Sequence, residues 1–122
     1  MVSNKGTVLA AYDAVFNGKD VTAIDRYYGP SYIQHNARTV DGLDALKAFV
    51  GQLPPSVRWE PGISLEDGDL VMVQSRTSGL GPTSIIRADI VRLEGGRIVE
   101  HWDVSQEEAS ETASGHPMFE PA

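Results

Sequence analysis

Cysteine is absent from the 122-residue chain. That removes disulfides, thiolate metal sites and cysteine nucleophiles together, and it fits a reducing compartment. Basic side chains are scarce: 10 Lys and Arg stand against 17 Asp and Glu, a formal charge of −7. Such a surface repels a phosphate backbone, so no nucleic-acid partner is expected. Long hydrophobic runs are missing as well, and the apolar stretches of a few residues fall far short of the roughly 20 needed to span a bilayer. Met1 to Gly6 is polar with no apolar segment after it, which gives no sign of a secretory signal. A soluble cytoplasmic protein is the expectation. With 41 % hydrophobic and 22 % charged residues, the chain is neither disordered nor fibrous. Its length suits one domain over 1–122, with residues 1–6 and about 108–122 as tails.

Hydrophobic periodicity predicts three helices followed by strands. Val8, Leu9, Tyr12, Val15 and Phe16 form an amphipathic stripe between Thr7 and Phe16, which Asn17-Gly18 ends. A second helix starts after a capping Asp20 and stops at Gly29-Pro30, and a third runs from about Gly42 to Val50 with Asp41 as its cap. Beyond Pro54-Pro55 the period becomes strand-like over Val57–Ile63, Leu70–Ser78, Ser84–Leu93 and Arg97–Ser105. Asp67-Gly68 and Gly95-Gly96 read as hairpin turns, and so does Gly79-Leu80-Gly81-Pro82, which lacks the lysine of a phosphate loop. Short connections make these strands antiparallel. The expected class is α+β, with three N-terminal helices packed on a curved antiparallel sheet. The other sheet face then needs solvent or a second copy, and apolar residues on it favour a homodimer.

Two segments carry a family resemblance. Tyr32-Ile33-Gln34-His35-Asn36 with Asp41-Gly42 is one, and Asp89-Ile90-Val91-Arg92-Leu93, Gly95-Gly96 and Arg97 through Val104 with Gln106 is the other. Together they resemble SnoaL-like proteins of the nuclear transport factor 2-like superfamily. The resemblance implies a cone-shaped α+β barrel. It also implies acid–base chemistry of the aldol-cyclase type, in which an acidic residue at the end of the last strand is the base; Asp103 holds that position. Those cyclases carry a histidine where this chain has Asp89, so the chain departs from their pattern there.

Strand alternation places Val99, His101 and Asp103 on one face and Ile98, Glu100 and Trp102 on the other. Across the hairpin, Asp89, on the face of Val91 and Leu93, comes near His101 or Asp103. Two carboxylates and an imidazole that converge can divide into base and acid, with Asp89, His35, His101 or Tyr32 holding a developing enolate oxygen. No cofactor is required. No HxxxH or HExxH spacing exists, so no metal set is expected. Phe16, Tyr32, Phe49, Val73 and Val91 are expected to line a cavity for a small hydrophobic molecule, with Gln34, Asn36 and Trp102 as further contacts. Each has a structural alternative: a solvated or loop-holding carboxylate for Asp89 and Asp103, a capping histidine for His35, loop-fixing amides for Gln34 and Asn36, packing for Trp102. Arg76 and Arg87 are substrate or dimer contacts, or simply solvated.

Three functions compete on these residues. The leading one is a cofactor-free enzyme acting on a hydrophobic carbonyl compound by aldol-type condensation, isomerisation or dehydration. The second is a non-catalytic ligand-binding or dimerisation module, and the third an epoxide hydrolase using an Asp-Arg-Asp set from Asp89, Arg87 or Arg76, and Asp103.

Overall fold

A computed structural model describes residues 2–122. Helix α1 (Asn4–Tyr12) starts three residues before the predicted stripe because Ser3 caps it, accepting the Gly6 N–H. It runs on into a π-helical turn over Asp13–Asn17. The Asn17 amide there both donates to the Trp59 carbonyl (2.9 Å) and accepts the Trp59 N–H (2.7 Å), which ties the helix end to the sheet. Helix α2 (Val21–Tyr27) is capped by Asp20 as predicted, through the Thr22 N–H. Helix α3 (Leu43–Gly51) is not capped by Asp41: Gly42 at φ 92° precedes it, and Asp41 instead accepts the Gln34 N–H at 2.7 Å.

Five strands form one sheet in the order β1-β5-β4-β3-β2, with β1 Tyr28–Gln34, β2 Arg58–Asp67, β3 Leu70–Ser78, β4 Ile85–Glu94 and β5 Arg97–Glu107. β2 through β5 are antiparallel neighbours, as their short turns require. The sheet as a whole is mixed, because β1 adds to the edge parallel to β5. Gly29-Pro30, expected only as a helix stop, lies within this strand; an edge strand tolerates proline, since its missing N–H can face away from the ladder. The α+β class holds, with the helices layered on a sheet that is open and not closed.

The core sits between helices and sheet. Val8, Tyr12, Val15, Ile24 and Val50 from the helical side meet Trp59, Val71, Val73, Val91, Leu93 and Ile98 from the strands. Each fully buried aliphatic contributes about 1.5–3 kcal/mol. Ile98 corrects the simple alternation: the register slips between Arg92 and Leu93, which opposes Leu93 to Ile98 and leaves Val99 as a bulge. Both Ile98 and Val99 are therefore buried. The C-terminal segment is held down by Arg76, which binds Glu108 (2.6 and 2.8 Å) and Glu120 (2.9 Å) and lies over the Phe119 ring.

Candidate active site

The register of β4 and β5 places Asp89 directly opposite Asp103, and Val91 opposite His101, all on the helix-facing side. His101 Nε2 lies 2.7 Å from Asp89 Oδ1 and 3.8 Å from Asp103 Oδ2. The side chains of His101 and Asp89 are almost wholly buried, 8 % and 6 % exposed, so neither can rely on water to solvate a charge.

Alternation along β1 supplies the rest. Tyr32 and Gln34 point inward, and Asn36 follows them in the loop. The Asn36 N–H donates to Gln34 Oε1 at 3.1 Å, which orients that amide with its oxygen toward His101 Nδ1. Nδ1 is accordingly the donor in its hydrogen bond to Gln34. The Nε2–Asp89 contact then holds one proton, either on an imidazolium facing a carboxylate or on a carboxyl facing a neutral ring. The second Asp89 oxygen has no partner among the described residues. Asn36 is oriented in turn by its Oδ1, which accepts from the Arg38 N–H (2.8 Å) and the Thr39 hydroxyl (3.2 Å). Its Nδ2 therefore faces Asp103, 2.9 Å from each carboxylate oxygen. Arg87 Nε stands 3.9 Å from Asp103 Oδ2, too far for a hydrogen bond.

These groups open onto a cavity of about 540 Å³ whose apolar wall includes Tyr12, Phe16, Leu46, Phe49, Leu53 and Trp59. Burial, reinforced by the Asp89 charge, pushes the Tyr12 phenol far above its ordinary range, and burial does the same for Tyr32. Both remain O–H groups at neutral pH. A second, more open depression of about 620 Å³ lies between Arg76 and the C-terminal segment, without such a convergence.

The structure brings together Asp103, Asp89, His101, Tyr32, Gln34, Asn36, Phe16 and Phe49 at this cavity. Three expected site residues, Trp102, Val73 and Val91, stand elsewhere, and a fourth, His35, borders the cavity without turning its ring into it. The His35 side chain follows β1 alternation to the outer face, where its ring stacks on Trp102 (centroids 4.7 Å apart) and its Nε2 meets Glu100 at 2.7 Å. His35 and Arg92 together hold the Glu100 carboxyl below the usual range. Trp102 is opposite Ile90 on that same outer face, so it cannot reach the cavity. Val73 and Val91 face inward but lie sealed in the core, each 1 % exposed. Trp59 is not among the expected cavity residues, yet it stands two residues from Val57, and both line the cavity.

Asp89, His101 and Asp103 each offer one ligand atom within 4.8 Å of the others, the one such group among the described residues. A cation there would have to displace the His101–Asp89 hydrogen bond and compete with the Asn36 amide for Asp103.

Comparison with known proteins follows the same lines. The chain resembles, at 22 % identity, the solved structure of a protein assigned as a SnoaL-like polyketide cyclase from Jannaschia sp. CCS1, over 84 % of each chain with a TM-score of 0.70. It resembles a protein assigned as a polyketide cyclase from Acidithiobacillus ferrooxidans at 17 % identity, over 84 % of this chain and 88 % of that one, TM-score 0.71. An NTF-2 like protein of unknown function from Burkholderia xenovorans LB400 aligns at 16 % identity over 91 % and 88 %, TM-score 0.75. Identities this low establish the shared fold alone. None of the curated proteins matches. The SnoaL-like domain family model matches residues 8–101, roughly three-quarters of the sequence, stopping two residues before Asp103. This chain therefore belongs to the SnoaL-like domain family.

Proposed function

We propose that the protein is a cofactor-independent acid–base catalyst acting on a small hydrophobic carbonyl compound, in aldol-type condensation or cyclisation, isomerisation or dehydration. The observation that carries this reading is the convergence of Asp103 with the proton-sharing Asp89–His101 pair on one apolar cavity. Asp103, held by Asn36, takes a proton from the carbon next to the carbonyl. The C–H electron pair becomes the C=C bond of the enolate as the C=O π pair moves onto oxygen, and the Asp89–His101 pair or the Tyr32 hydroxyl donates to that oxygen. In an aldol closure the enolate carbon then attacks a second carbonyl, whose alkoxide takes the shared proton. The 3.8 Å between His101 Nε2 and Asp103 Oδ2 suits a three-atom C–C=O unit touched by both. Exchange of ketone α-hydrogens for deuterium in D2O tests it; binding without exchange would leave a ligand-binding module.

A second reading is favoured by one specific feature: Arg87, Asp89 and Asp103 line the same cavity as an Asp-Arg-Asp set. In an epoxide hydrolase Asp103 would accept a proton from water as it attacks the ring, and the Asp89–His101 pair would protonate the opening oxygen. Diol formation from styrene oxide in the presence of the protein separates the two readings.

The outer sheet face supports a homodimer. Leu65, Met72, Ile90 and Trp102 are successive partners across four strands, with Leu65 58 % and Ile90 40 % exposed, a row that a second copy would cover. The charge of −7 and the lack of cysteine support a cytoplasmic protein whose partner is a small molecule and not nucleic acid. Among the described residues no helix is long and apolar enough to cross a membrane.

A further inference from the structure

Apart from the acid–base cluster, the cavity wall holds a set of donors that nothing among the described residues accepts. Trp59 Nε1, Thr77 Oγ1 and Arg87 Nε are all buried atoms without a hydrogen-bond partner among the described residues, and all three residues line the cavity. Trp59 and Thr77 are 4 % and 6 % exposed. The register explains why they gather. Trp59 on β2 is directly opposite Thr77 on β3, and Arg87 on β4 is opposite Ser75, one diagonal step from Thr77 and within reach of a long side chain. An indole N–H and a guanidinium can only donate, and the hydroxyl can do so. Buried donors without acceptors are destabilising, so a site that keeps three of them is built for a group that accepts.

We infer that Trp59, Thr77 and Arg87 form a specificity subsite that binds a neutral, acceptor-only oxygen of the ligand, a carbonyl of ketone or ester type. Charge decides against an anion. The Asp89–His101 pair is neutral overall when it holds one proton, and Arg87 offsets Asp103, so a carboxylate would bring one uncompensated negative charge into a poorly solvated cavity. Arg38 also lines the cavity but is exposed, where water screens it. A hydroxyl-bearing ligand fits less well, because its own donor would face three more. The inference rests on the cavity of the proposed reading being the ligand site, and not on the proton transfer.

The test uses 15N-labelled protein with 4-phenylbutan-2-one, butylbenzene and 4-phenylbutanoate as probes. Trp102→Phe assigns the Trp59 indole signal. The ketone is expected to bind about ten-fold more tightly than butylbenzene, although transfer from water alone favours the hydrocarbon, and to move the Trp59 indole proton downfield. Thr77→Val and Arg87→Met should bring the ratio toward one. Deuterium exchange into the ketone is followed in the same samples. A downfield indole with no exchange supports the subsite, because the one carbonyl oxygen of this ketone is then held by the subsite donors and not by the Asp89–His101 pair; exchange with an unmoved indole and a ratio near one overturns the subsite and leaves the catalytic reading standing. Tighter binding of 4-phenylbutanoate than of the ketone also overturns it. Should a variant fold poorly, the wild-type ratio and indole shift decide alone.

Discussion

Replacing His101 by leucine removes one partner of a buried pair and leaves Asp89 with neither oxygen bonded. Asp89 Oδ2 has no partner among the described residues, and Oδ1 depends on His101 Nε2 at 2.7 Å. Gln34 Oε1 also loses a donor, though it keeps the Asn36 N–H. Breaking a buried charged pair from one side costs about 3–5 kcal/mol, and the near-complete burial of both side chains places His101→Leu in that range. Removing both partners tells a different story, since apolar replacements of similar shape can be nearly neutral. Asp89→Val/His101→Leu should thus be more stable than His101→Leu alone, with a coupling of about 2 kcal/mol or more in the double-mutant cycle. Urea unfolding at pH 7 measures it, with an unchanged m-value showing that the compared states are alike. Additive effects, or a single-variant cost under about 1 kcal/mol, would refute the shared-proton pair.

Three further outcomes follow from the same geometry. Burial holds the Tyr12, Tyr28 and Tyr32 phenols above their ordinary value of 10.0 in the folded state, so their contribution to stability is intact below that value and is lost as pH rises beyond it; tyrosinate absorbance from these three should appear together with unfolding rather than before it. Gly79 sits at φ 88°, where an added Cβ would lie 2.2 Å from the Ser56 carbonyl oxygen, so Gly79→Ala should lower stability by at least about 2 kcal/mol in the same urea assay. Ile90→Asp places a charge in the middle of the exposed apolar row, and sedimentation should show it shifting a wild-type dimer to monomer while ligand binding in the cavity is unchanged.

Local chemistry explains what the sequence disclosed. Helix caps and turns are decided within a few residues, which is why Asp20 and the Gly95-Gly96 hairpin read correctly, and the hairpin in turn brings Asp89 opposite Asp103. Asp41 shows the limit: its side chain was drawn away by a backbone N–H in β1, a partner no local pattern reveals. The edge strand itself was hidden because its ladder runs parallel to β5, far along the chain, and because it contains Pro30. The His35 ring turns outward for a simpler reason: alternation through Tyr32, Gln34 and Asn36 sends it there, although the residue itself borders the cavity. A single bulge at Val99 was enough to bury Ile98 beside it.

The most direct test of the central claim is proton exchange by Asp103→Asn. In D2O at pH 7, the wild-type protein should accelerate deuterium incorporation next to the carbonyls of octane-2,7-dione, one of which can fill the Trp59 subsite while the other meets Asp103. Asp103→Asn should lower that acceleration by about 10²–10⁴, the usual contribution of a positioned base, while the ketone affinity and the urea midpoint stay close to wild type. Equal exchange by the two proteins, or none above background by the wild type across a panel of hydrophobic ketones, would contradict Asp103 as the base.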